Sequence, residues 1–136
     1  MSGAGIEEIE HTADWAIRVS ASELESLFER AALGMFSLIG SVASGSKTVS
    51  RPITLQAHDL ETLLVCWLEE LLFLLETENL MLVAARIQIP SPSQLFGMLE
   101  LLPAAERMKE IKAVTYNELA VRQTPDGFEV AIVFDV

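Results

Sequence analysis

Apolar and polar residues alternate from Ile17 to Ala21, with Arg18 and Ser20 between Ile17, Val19 and Ala21. That is the period of a strand with one buried face. The period then changes. Leu24, Leu27, Phe28, Ala31, Met35 and Leu38 recur at helical spacing, so one stripe of a helix faces a core. Ser22 with Glu25 three residues on predicts a capping box, and Gly40 predicts a left-handed stop. The small polar stretch SVASGSKTV (41–49) predicts a turn or hairpin. Ile53, Leu55 and Ala57 alternate with Thr54 and Gln56, a second strand with Pro52 at its start, where a missing N–H does least harm. Asp59 is placed to cap a second helix running to about Thr77. Its apolar residues, from Leu63 through Trp67 to Leu75, cover more than half the circumference, so it belongs in the centre with Trp67 in the core. Asn79 is placed to end it.

From residue 80 onward the signals are mostly β. LMLVAARIQI reads as a strand broken by Pro90 and Pro92. SQLFGMLELL reads as another, with Gly97 marking a bulge or close packing. PAAERMKEI is a connection without a clear period, and KAVTYNELAVRQ suits a strand. TPDG is a hairpin turn, with Gly127 supplying a positive φ. In the closing FEVAIVFDV, Phe128, Val130, Ile132 and Phe134 share one face. The pattern predicts an α+β fold over a single domain, residues 1–136: two helices packed on antiparallel β-sheet.

Composition narrows the function classes. The net charge is −11 with only 9 basic residues and no basic run, which argues against direct nucleic-acid binding. An acidic surface suits a basic protein partner or a hard cation. The single cysteine, Cys66, excludes an internal disulfide and suits a reducing cytoplasm; in an apolar helix it reads as a buried, inert thiol. No signal peptide is visible at the start, and Glu61, Glu69 and Glu70 interrupt the most apolar stretch, so a soluble cytoplasmic protein is expected.

Candidate chemistry gathers at two strand ends. Glu10, His11 and Asp14 precede the first strand, and Asp135 closes the last, pointing away from Phe134. The strongly apolar strand holds Asp135 in the sheet, beside the terminal carboxylate of Val136. If Asp14 lies next to them, three hard oxygen groups converge, a start for Ca²⁺, Mg²⁺ or Mn²⁺. The bland reading is a turn and a solvated chain end. Neither His11 nor His58 has zinc-site spacing, and neither a phosphate-binding loop nor a nucleophile elbow is present. Nothing demands an enzyme.

HTADWAIRV before a capped helix, LLVCWLEELLFLLETE, IKAVTYNELAV and a terminal FDV, in that order from Glu10 to Val136, resemble the archease family. The resemblance implies an α+β fold built on a strand–helix–strand unit. It implies an activator, not itself an enzyme, of an RtcB-type RNA ligase acting in tRNA splicing or RNA repair. Such a ligase joins a 2′,3′-cyclic phosphate or 3′-phosphate end to a 5′-hydroxyl end with GTP and Mn²⁺, and the activator promotes its guanylylation and multiple turnover. By motif, cation binding passes to Asp14 and Asp135, with the Val136 carboxylate beside them and Ca²⁺ placed ahead of Mg²⁺ or Mn²⁺. Glu10, His11 and Lys112 fall to orientation of the site or partner contact. Trp15 departs from the small aliphatic residue usual in the family, and Asn117 from its histidine. Two rivals stand beside this reading: a stand-alone metal-dependent phosphoesterase, and a general chaperone-like binding module with a broad exposed apolar patch.

Overall fold

The computed structural model describes residues 5–10, 14–45 and 47–136; the side chains of Ile9, Glu10 and Asp14 fall outside that description, as does His11. The chain runs β1 (Gly5–Glu10), β2 (Asp14–Ala21), α1 (Leu24–Ile39), β3 (Gly40–Val42) and β4 (Val49–Gln56). It continues through α2 (Leu60–Glu78), β5 (Leu80–Ser91), β6 (Gln94–Arg107), β7 (Ala113–Val114), β8 (Arg122–Thr124) and β9 (Gly127–Asp135). Among the described residues the strands form two antiparallel sheets rather than one. In the first, β1, β2 and β9 lie side by side, with β7 and β8 along the far edge of β9. In the second, β6 is flanked by β5 on one side and by β3 and β4 on the other.

Both helices touch both sheets. α1 packs on β2 and on β5, while α2 meets β4, β5 and β6 of one sheet and β7 of the other. Each is consequently buried over a broad arc, from Leu27 to Ile39 in α1 and from Leu63 to Leu75 in α2. The indole of fully buried Trp67 ties the helices together, its Nε1–H donating to the Phe28 carbonyl at 2.8 Å.

The second helix ends as its sequence predicts. Asp59 accepts from the Thr62 N–H at 2.8 Å, and Asn79 closes the helix in the left-handed region at φ 58°. The first helix does not. Its N-cap is Glu23 without a side-chain cap bond, and Ser22 takes no part. Glu25, the expected partner in a capping box, instead accepts from the Ile89 N–H on β5 at 3.1 Å, and Glu29 one turn later from the Ala85 N–H at 2.8 Å. These two carboxylates take up N–H groups on the edge of β5 that no strand pairs. Gly40 is likewise not a left-handed stop: its φ is 168°, ordinary extended backbone. It is glycine because a Cβ would stand 1.8 Å from the Glu106 carbonyl oxygen where β3 meets β6.

Further differences have local causes. β5 continues through Pro90 because its ladder steps from Gln88 to Ser91, a bulge in which no N–H is required of the proline. Gly97 does mark close packing, with a Cβ there lying 2.2 Å from the Arg86 carbonyl oxygen. β6 absorbs PAAER, which pattern left as a connection. KAVTYNELAVRQ is two short strands and not one. Between them the Leu119 N–H bonds to Tyr116 O, Glu118 takes φ 53°, and Glu61 on α2 accepts the Val121 N–H at 2.9 Å. Cys66 is half-buried, not fully enclosed.

Trp67→Phe removes the indole donor and part of the core volume, so it lowers unfolding free energy by about 1–3 kcal/mol in urea titration. Acid has a separate effect. The Thr62 N–H holds the Asp59 carboxyl below its ordinary range, and the Arg51 guanidinium does the same for Glu78. Both groups therefore stabilise the fold above about pH 4 and lose that contribution as pH falls through their lowered folded values. The Tm gap between the wild type and Asp59→Ala is present at neutral pH and narrows below about pH 4 in a pH-scanned melt.

Candidate functional site

The site is built by the pairing of β2 with β9. Cα partners run from Ala21–Phe128 to Asp14–Asp135, so the two aspartates stand opposite each other at one end of the ladder. Cross-strand partners of this kind lie about 4.5–5.5 Å apart at Cα. On the other side of β9, β7 pairs Ala113 with Asp135, and the Lys112 N–H donates to the Asp135 carbonyl at 2.7 Å. Asp135 is thus held between two strands, not at a frayed end.

Burial follows the predicted alternation at the strand end, although Val133, on the face of Asp135, is buried as well. Phe134 is fully buried and Asp135 is exposed, while Val136 is half-buried against the core. Trp15, the Cα partner of Phe134, is half-buried with its ring under the ammonium of Lys109, whose Nζ lies 3.5 Å from the ring centroid. This cation–π contact ties residues 107–112 to the start of β2. At the same point the Met108 and Lys109 N–H groups anchor the backbone, donating to the Ile39 carbonyl at 2.6 and 3.2 Å.

The structure therefore brings together Asp14, Asp135, Val136 and the backbone of Lys112. Glu10 ends β1 as the Cα partner of Trp15, placing it one position from Asp14 in a strand that pattern did not predict. Side chains of Asp14 and Glu10, and all of His11, lie outside the described residues. Lys112 is exposed, and its side chain lines an open groove with Glu69 and Phe73 rather than the strand end alone. Among the described residues no three His, Cys, Asp or Glu side chains cluster closely enough to hold a metal. The donor chemistry nevertheless fits a hard cation: paired positions of carboxylate residues, one carboxylate exposed, at a strand end braced on both sides. Sequence reasoning missed Lys109, because its partner Trp15 is remote in the chain and PAAERMKEI has no period.

The archease protein family model matches residues 6–136. The chain belongs to the archease family. It is 35% identical over 142 aligned residues to the archease of Methanosarcina barkeri, covering 98% of this chain and 97% of that one. Against the Pyrococcus furiosus archease it is 34% identical, covering 89% and 90% of the two chains. The fold is similar to the solution structure of Methanobacterium thermoautotrophicum protein 1598, with a TM-score of 0.77, 25% identity and 97% and 99% coverage. It is also similar to a Thermotoga maritima archease described as a possible chaperone, with a TM-score of 0.72, 22% identity and 94% coverage of each chain. The α+β architecture expected of the family is the one observed. No helix among the described residues is long and apolar enough to cross a membrane.

Lys109→Met removes the charge above Trp15. The change costs about 0.5–1 kcal/mol, the value of an exposed cation–π pair. It alters the emission of Trp15 while buried Trp67 reports an unchanged core.

Proposed function

We propose that this archease activates an RtcB-type RNA ligase through a divalent cation held by Asp14 and Asp135, with Val136 beside them. The observation that carries the reading is the Asp14–Asp135 pairing at the end of β2 and β9, in a chain of the archease family. Two carboxylates at one strand end are hard oxygen donors suited to Ca²⁺, Mg²⁺ or Mn²⁺. When bound, the cation supplies positive charge for phosphate oxygens.

The chain's own residues do the positioning. Pairing with β7 and the Lys112 N–H fixes the backbone of Asp135, so its carboxylate is presented without a search through rotated strand ends. Glu10 and His11 orient the Asp14 side of the site. The net charge of −11 favours approach to an RNA-binding enzyme, whose nucleic-acid channel is basic. Activation consists of aligning the ligase's own reacting groups for guanylylation, after which the ligase turns over repeatedly.

Calorimetric titration with Mn²⁺ or Ca²⁺ shows one site, abolished by Asp14→Asn and by Asp135→Asn, and weakened as the carboxylates protonate in acid. Added in substoichiometric amounts to a matching ligase, the wild type raises guanylylation and yields multiple turnover. Each aspartate variant loses that gain, and the double variant loses no more than either single one. Unchanged cation affinity in both variants rules out the site. Phosphoester hydrolysis by the protein alone, dependent on the same aspartates, replaces the activator reading with a hydrolase.

A further inference from the structure

Phe73 has no place in the core. It lies on α2 opposite the buried arc and is 59% exposed, in a helix whose other large apolar side chains are mostly enclosed. It stands four residues after Glu69 and three before Glu76, so one exposed helical stripe reads acidic, aromatic, acidic. Aromatic side chains, phenylalanine included, are enriched at the cores of protein interfaces.

Beside it lies an open groove of about 500 Å³, floored by Leu72 and Ile111 and bounded by Lys112 on the opposite wall. Past Glu76 the groove continues into a smaller cleft of about 210 Å³ beneath Met108, which is itself 75% exposed. The walls are fixed before any partner arrives. Arg107 donates through Nη2 to the Leu75 carbonyl at 2.7 Å and to Asn79 Oδ1 at 2.9 Å, closing the C-terminal end of α2. Lys109 is committed to Trp15, and the Lys112 backbone to Asp135. A preformed groove binds without the cost of ordering a loop.

Charge selects the occupant. Arg107 reaches Glu76 at 3.6 Å, but among the described residues neither Glu69 nor Glu110 takes part in an ion pair. The larger groove is itself lined by Glu69, Glu76 and Glu110 against Lys112 alone, so it favours a cationic visitor. We propose that it is the docking surface for a basic segment of the partner protein, which seats an apolar side chain against Phe73, Leu72 and Ile111 and sets flanking Lys or Arg residues beside Glu69 and Glu110. This rests on the ligase reading above, because an RNA-binding enzyme carries such segments. Lys112 links the two regions, lining the groove while its N–H donates to the Asp135 carbonyl.

The test separates docking from activation. Phe73→Ser and Glu69→Gln, both at exposed positions, are first checked for unchanged circular dichroism and melting. Binding to the purified ligase is then measured by biolayer interferometry at several salt concentrations, alongside guanylylation. Phe73→Ser weakens binding by about tenfold or more, the loss of an aromatic anchor, yet reaches wild-type activation at saturating concentration. Glu69→Gln weakens binding less and flattens its salt dependence. Asp135→Asn shows the reverse split, binding retained and activation lost. If Phe73→Ser binds as tightly as wild type, the docking surface is wrong while the cation reading stands. If the wild type neither binds nor activates the ligase, both fall. A wild-type dimer that Phe73→Ser turns into a monomer in sedimentation assigns the groove to a second copy and overturns the proposal.

Discussion

The register of β2 against β9 is the constraint on which the site depends. Side chains alternate along a strand, so a slip of one residue would move the large buried side chains of Ile132 and Phe134 to the opposite face. Val130, Ile132 and Phe134 are 2%, 0% and 0% exposed, and their partners Val19, Ile17 and Trp15 are buried or half-buried against the same core. Exposing Phe134 and Ile132 together would forfeit several kcal/mol of burial, at about 1.5–3 kcal/mol for each large apolar side chain. The hydrophobic core therefore decides that Asp14 meets Asp135. The exposed side chain of Asp135 is not among the buried groups that set this pairing.

A second set of contacts holds the two sheets around the helices. Glu25 and Glu29 on α1 accept N–H groups from β5, and Glu61 on α2 accepts one from the segment before β8. Each is a charge-assisted bond from a helix to a backbone group that no strand pairs, stronger than a neutral one. β5 is an edge strand, and carboxylates on its open side block the pairing of another chain there. Part of the acidity that reads as solubility in the composition is thus structural.

What the sequence made legible was whatever depended on local period. The two helices, the Asp59 and Asn79 caps, the buried Trp67 and the alternation that exposes Asp135 all follow from residues within a few positions of each other. β1 was missed because GIEEIE carries two isoleucines among charges, too little apolar alternation to stand out. The expected cap at Ser22 failed because Glu25 was claimed by β5, more than sixty residues away in the chain. Pro90 misled because a proline ends a strand only when its N–H is needed, and the bulge removes that need. Opposition of Asp14 and Asp135 could be named as a juxtaposition worth testing, but strand order could not be obtained from spacing. Lys109 and the groove by Phe73 were invisible, since both depend on where residues 107–112 lie.

That segment joins the two regions of interest. It leaves β6 at Arg107, whose guanidinium is bonded to the end of α2, and reaches β7 with the Lys112 N–H on Asp135. Between these anchors its residues form one wall of the groove, and Lys109 rests on Trp15, immediately after Asp14. The groove wall and the start of β2 are therefore parts of one bonded segment, and the same segment reaches the backbone of Asp135, which β2 and β7 hold on either side.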